Sequence, residues 1–492
     1  MIEDNKETVT VGLEKVLLKS EREEKKKKRR RVILTIVLCI LFLVIGFAGG
    51  TIYNYAMHPY VKADASNTFG EIEAILSNYW IYEKDYDNLQ KELEDKAFYG
   101  MTSFEEDPYT TYMSDEELNE FTTGINMDYV GIGVMYSLNN DVAVVERVFK
   151  DSPAEAAGFL PGDIIEKVDG VSIKGLDTTQ IKEMVIGEEG TKVVVTVTRN
   201  NQTIDLTAIR SSVDNSVYCY AEDDYLVLEL SSFGSSTGKE CMSYLDQYKD
   251  YKKIIIDLRN NTGGYQNSVK EIAGLFIGNG QVYLKQEDAT GKMVEDLTSC
   301  EKTFNFDKIV LLVNGETASA AEVFAICLRE QLDNVTIVGD TTYGKGVIQS
   351  THYLANGGVL KFTSYNWYSP NGISIHKTGI KPDIAISQDD IAYEYIVEME
   401  DGAKYEYDSV SDVVRICEMA LDFMGYKIDR EDGYFDESFK IALQEYKVNN
   451  GLNADAILDE NTYQSIISNT ILGLSDKKND IQFNKAIELL KN

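Results

Sequence analysis

A chain of 492 residues has room for several domains, each with its own core, and its 43% hydrophobic and 26% charged residues are those of globular protein. Acids outnumber bases, 81 Asp and Glu to 48 Lys and Arg, for a net charge of −33. Residues 1–31 hold 11 bases and 7 acids, so the remainder carries −37. Nucleic acid and other polyanions are excluded as partners of such a body.

The basic tail, residues 1–31, ends in KKKKRRR, Lys25 to Arg31. The run that follows, 32–56, has no charge and suffices to span a bilayer. The positive-inside rule then puts the N-terminus in the cytoplasm and the rest outside, at the cell membrane. The run exceeds the apolar core of a cleaved signal peptide and no A-x-A site follows, so an uncleaved anchor is expected. Phe69, Ile72, Ile75 and Leu76 begin a helical region over 66–125, broken at Asp107-Pro108-Tyr109. Residues 128–210 change to short β-like runs: YVGIGVMY, SPAEAAGFLPGDIIEKVDG and TKVVVTVTRN. This stretch resembles a PDZ domain, in the Gly131-Ile132-Gly133 loop, the 152–170 segment and the strand at 192–198. The resemblance implies that the 131–133 loop holds a peptide's terminal carboxylate while the peptide adds as an edge strand. A small β-sandwich with a glycine turn is the plainer alternative.

From 211 to 398 the apolar runs KIIIDL, IVLLV and VTIVG read as buried parallel strands. Helices are expected near 266–277 and 318–331, which gives α/β layering. GVLKFTSYNWYS is half-polar and reads as antiparallel. Residues 405–470 form a helical module, separated at 399–409, and 471–492 reads as a C-terminal helix. The expected architecture is thus a multidomain α/β protein with an all-β PDZ-like domain, a helical C-terminal module and one N-terminal transmembrane helix. The module resembles a three-helix peptidoglycan-binding domain in Gly425-Tyr426, Gly433-Tyr434-Phe435, Ala442, Tyr446 and Gly451-Leu452. Lys447 departs from the glutamine usual there, and a helical packing module is the alternative.

Six cysteines form no C-x-x-C, and three scattered histidines, His58, His352 and His376, make no metal motif. No metal or cofactor is expected. Two segments carry chemistry. VNGETASAAEVFA, 313–325, sets Ser319 where a strand gives way to a helix; Ser319 to Glu322 also fits a capping box. A serine hydroxyl needs a neighbouring base to attack a carbonyl. TTYGKGVIQS, 341–350, offers Lys345 between two glycines, and an inward-turned lysine loses its proton more easily because burial disfavours its charged form. An exposed loop lysine is the ordinary reading of that segment. Gln349 can hold the amine without adding negative charge.

DLRNNTGG (257–264), NGETASAAE (314–322), GKGVIQ (344–349) and SPNGISIHKTGIKPDI (369–384) occur in the order found in carboxyl-terminal processing peptidases. DPYTTYM upstream and NDIQFNKAIELL downstream match as well, and residues 69–387 resemble that family. The resemblance implies a serine endopeptidase with a Ser319–Lys345–Gln349 triad, and an oxyanion hole from a backbone amide of Gly263-Gly264 with that of Ala320. Its expected partners are protein substrates with free C-termini, peptidoglycan through the tail module, and a second copy in a homodimer. A non-catalytic envelope scaffold and a hydrolase using His352 or His376 are the competing readings.

Overall fold

This computed structural model describes residues 4–57, 68–126, 128–139, 142–199, 202–214, 216–397, 399–400 and 402–491. It divides into two compact units, residues 1–101 and 102–492. In the first, helix α1 (Asp4–Met57) contains the basic run and the apolar run; Arg22–Ala48 is the part long and apolar enough to cross a membrane. Helices α2 (Thr68–Tyr79) and α3 (Leu89–Thr102) follow. His58 and residues 66–67 lie outside the described residues.

The break expected at Asp107-Pro108-Tyr109 falls between α3, which ends at Thr102, and the next helix. The Asp107 carboxylate accepts from the Tyr109 amide at 3.2 Å and the Thr110 hydroxyl at 2.5 Å, a side-chain turn that competes with helix. Strand β1 (Thr111–Met113) and helix α4 (Asp115–Asn126) come next.

The next stretch contains β2 (Asp128–Gly131), β3 (Val134–Asn139), β4 (Val142–Val148), α5 (Pro153–Ala157), β5 (Ile164–Val168) and β6 (Val171–Ser172). It continues with α6 (Thr178–Val185), β7 (Lys192–Arg199), β8 (Gln202–Ile209) and β9 (Ser211–Asp214). β3 to β8 make one antiparallel sheet, order β3-β4-β5-β7-β8 with β6 on β5, while β2 leaves it to pair with β9. The β-branched alternation of β7 turns Val193, Val195 and Val197 into a core with Ile132, Phe159 and Ile181. Asp177 caps α6 in a reciprocal box with Gln180. β3 is an edge strand, beside α6.

The α/β region contains β10 (Val217–Glu222), β11 (Tyr225–Leu230), α7 (Thr237–Gln247), β12 (Lys253–Asp257), α8 (Gln266–Ile277), β13 (Val282–Asp288), β14 (Met293–Leu297) and β15 (Lys308–Val313). After these come α9 (Ala320–Gln331), β16 (Val335–Gly339), β17 (Val347–Tyr353), β18 (Val359–Tyr368) and β19 (Ile384–Ala385). The chain closes with α10 (Asp412–Phe423), α11 (Glu437–Asn449), α12 (Glu460–Ser475) and α13 (Ile481–Lys491). Instead of one helix over 471–492, α12 runs to Ser475 and α13 starts anew, because Asp480 caps it by accepting from the Phe483 amide at 2.9 Å.

Six strands in the order β10-β11-β12-β15-β16-β19 make the main sheet, parallel from β11 onward. Their continuous apolar runs are explained by burial on both faces: Ile254 and Ile256 meet α7, α8 and α9, while Ile255, Val310 and Leu312 meet Phe483 and Leu490 of α13. A second sheet, β1-β18-β13-β14 with β17 also on β18, is antiparallel throughout, as the half-polar pattern of β18 predicts.

Candidate active site

Ser319 stands between β15 and α9 at φ 54°, ψ −118°. A side chain at positive φ is crowded by its own backbone, at a cost of about 1–3 kcal/mol. What holds it is Glu322, one turn into α9. This carboxylate is fully buried and accepts from the amides of Ser319 (2.9 Å), Gly344 (2.7 Å) and Lys345 (2.9 Å) and from the Thr342 hydroxyl (2.5 Å). The reaching-back half of the predicted capping box is therefore real, and the same oxygens also tie the 342–345 loop to the start of α9. Burial raises the affinity of Glu322 for a proton, and its four donors oppose that.

The other side of the loop is fixed by Trp367 of β18, whose indole donates to the Lys345 carbonyl at 2.8 Å. Lys345 is thereby turned inward, with its ammonium 4.6 Å from the centre of the Tyr109 ring. Burial, helped by the like charge of Lys361, brings its pKa down to about 8; Glu322 and Asp107 oppose the fall without reversing it. Among the described residues no carboxylate makes an ion pair with either Lys345 or Lys361. The Lys361 ammonium rests 4.5 Å from the centre of the Phe121 ring, and burial lowers its proton affinity too.

Of the predicted residues, Ser319, Lys345, Gln349, Gly263, Gly264 and Ala320 all line one large groove of about 2510 Å³. Gly263 packs so tightly on the Ser319 turn that a Cβ there would meet the Ala320 nitrogen and the Ser319 Cβ, each at 2.9 Å. Its own amide donates to Asn261 Oδ1 at 2.8 Å. No described group accepts from the amides of Gly264 and Ala320. Gln349 differs from expectation: its side-chain nitrogen donates not to a lysine partner but to Thr363 Oγ1 at 3.3 Å, and Thr363 in turn donates to Asp107 at 2.9 Å. Gly131, Ile132 and Gly133 lie apart, at the entry to β3. The carbonyls of Ile132 and Gly133 are taken by the amides of Ala154 (2.8 Å) and Phe149 (3.0 Å). His376 accepts from the Gly346 amide at 3.3 Å and His352 is exposed on β17. Neither lines the groove with Ser319.

Tyr109, Phe121, Lys361 and Trp367 escaped the sequence reading. DPYTTYM was visible as a break and as a shared motif, yet nothing local says that Tyr109 covers a lysine 236 positions later, 345 against 109.

Comparison with known proteins gives the family and the domains. The profile described as peptidase family S41 matches residues 224–386, a PDZ domain profile matches 144–199 and a peptidoglycan-binding domain profile matches 411–466. A CtpA-like serine protease of Staphylococcus epidermidis is 32% identical over 392 residues, covering 78% of this chain and 79% of that one. The chain belongs to peptidase family S41, with the CtpA-like serine proteases. A Staphylococcus aureus relative of the same name is 31% identical over 465 residues, 93% of this chain and 91% of that one. Among solved structures, a photosystem II D1 C-terminal processing protease is 25% identical with a TM-score of 0.41, covering 62% of this chain and 85% of that one. This S41 peptidase thus joins an α/β serine protease region to a PDZ domain and a helical peptidoglycan-binding domain.

Proposed function

We propose that this protease is a membrane-anchored endopeptidase acting outside the cytoplasm on polypeptides taken by their C-termini. Ser319 Oγ attacks the scissile carbonyl while neutral Lys345 Nζ takes its proton. The C–N bond breaks as Lys345 returns that proton to the leaving amine, and water then repeats the cycle on the acyl-enzyme. The amides of Gly264 and Ala320 receive the oxyanion, worth about 3 kcal/mol for a single donor. Gln349, its amide nitrogen held by Thr363, keeps its carbonyl oxygen for the Lys345 ammonium once substrate fills the groove.

The observation that carries this reading is Lys345 itself: withdrawn from water, covered by an aromatic ring, free of any ion pair among the described residues, and on the same groove as Ser319. A lysine base must be neutral to accept a proton. With its pKa lowered to about 8, kcat/KM should rise about tenfold per pH unit below that value and level off above it. Edge strand β3 and the 131–133 loop support PDZ capture of a peptide C-terminus as an added strand. The basic run before Arg22–Ala48 supports a cytoplasmic N-terminus.

The test is digestion of a C-terminally tagged polypeptide by wild type, Ser319→Ala and Lys345→Ala. Each variant should lose about 10³-fold or more in kcat/KM. Wild-type rates in either one would sink the assignment.

A further inference from the structure

Among the described residues six basic side chains line the groove: Arg147, Lys150, Arg259, Lys345, Lys361 and Lys477. Four are committed to carboxylates. Arg147 pairs with Glu229, Lys150 with Glu155, Arg259 with Asp257 and Asp480, and Lys477 with Glu222. Lys345 is accounted for by the chemistry above. That leaves Lys361, half-buried and without an ion pair among the described residues, in a chain whose body carries a large excess of acid.

Its place in the second sheet is specific. β17 and β18 run antiparallel with Gln349 opposite Thr363 and Thr351 opposite Lys361. Directly opposed residues, and residues two apart on one strand, project to the same face. Lys361 therefore shares its face with Thr363 and Gln349, one pair further along, and Lys361, Thr351 and Gln349 all line the groove with Ser319. Phe121 holds the ammonium from one side with a ring that offers no countercharge. A desolvated cation on a peptide-sized groove, fixed by packing and left without an anion, is a receptor for one.

We propose that Lys361 is a carboxylate-binding subsite of the cleavage groove, receiving a carboxylate of the bound polypeptide within a few residues of the scissile bond. Two sources share that chemistry, an Asp or Glu side chain and the C-terminus itself. The subsite is separate from the PDZ loop at 131–133, and it rests on the reading of this groove as the place of cleavage.

The experiment uses the full chain in detergent and fluorescent peptides in matched pairs: Glu against Gln at each position flanking the cleaved bond, and free against amidated C-terminus. Peptides too short to reach the PDZ domain are used throughout. In wild type, one pair should show a KM ratio of about tenfold in favour of the carboxylate. Which pair shows it names the source. Lys361→Met should collapse that ratio to within twofold, and Lys361→Arg should keep it. The ratio is read within each variant, so a general loss of rate does not disturb it. The same pairs are titrated by anisotropy against Ser319→Ala, where Kd replaces KM. If wild type cleaves nothing but the Kd ratio appears and depends on Lys361, the catalytic reading fails and the subsite stands. Equal constants within every pair, or a ratio that persists in Lys361→Met, would overturn the subsite.

Discussion

Lys447 in the helical module and Lys345 in the groove are both drawn out of water, and their company differs. Lys447 on α11 is 1% exposed, yet its ammonium reaches the Asp455 carboxylate at 2.5 Å and also donates to the Ile457 carbonyl. The two contacts pin the loop before α12. The glutamine usual at this position is thus replaced by a residue that faces inward and does structural work. Lys345 is half-buried, has a ring and a second lysine for neighbours, and is brought down to about 8. The base role proposed for Lys345 needs both burial and the lack of a paired carboxylate, because attraction to an acid would restore what desolvation removes.

The largest effect that could break this contrast comes from exchanging each lysine for methionine. Lys345→Met should abolish turnover, about 10³-fold or more, while urea denaturation moves little, since no ion pair is lost. Lys447→Met should leave peptide cleavage intact and destabilise the helical module by about 2 kcal/mol, less than a fully buried pair because Asp455 is partly exposed. A Lys447→Met enzyme with lost chemistry and unchanged stability would invert the comparison.

Glu322→Gln sharpens it at intermediate size. The amide cannot accept from all four donors, so the Ser319 turn and the 342–345 loop lose their common anchor, and kcat should fall about 10²-fold. Glu322 also raises the proton affinity of Lys345, so removing its charge should move the acidic limb of the kcat/KM profile to lower pH. A limb that moves up instead would mean that water entry outweighs the lost carboxylate.

The smallest effect belongs to Tyr109. Tyr109→Phe keeps the ring under Lys345 and should stay within about twofold of wild type. Tyr109→Ala admits water, so the acidic limb should shift to higher pH, toward the ordinary lysine value, with a loss of about tenfold at pH 7. Equal pH profiles for the two variants would show that the ring does not shield the amine.

Much of this was legible in the chain. The parallel strands follow from their unbroken apolar runs. Ser319 and Lys345 stand out as candidates by residue type and setting, and it is the resemblance to carboxyl-terminal processing peptidases that joins them with Gln349 in the proposed site. What could not be read is long-range. Asp107 and Thr363 make the link that occupies Gln349, and they are joined only because β1 and β17 both pair with β18. Lys361 sits in a strand whose half-polar pattern announces exposure, and only the register with β17 turns it to the groove. Glu322 advertised a helix cap. That it also grips Gly344 and Lys345 required two loops to fold together.

The β2–β9 pair has a mechanical consequence. The PDZ domain enters and leaves the rest of the chain through these two strands, which lie antiparallel from Asp128↔Asp214 to Gly131↔Ser211. A body hung on a single cord can tumble in any direction, whereas a flat laced strap resists swivelling about its length. Here the strap is joined by fastenings elsewhere on the domain, where Ser468 of α12 donates to the Gly162 carbonyl and Arg147 pairs with Glu229, so the domain is held at more than one place.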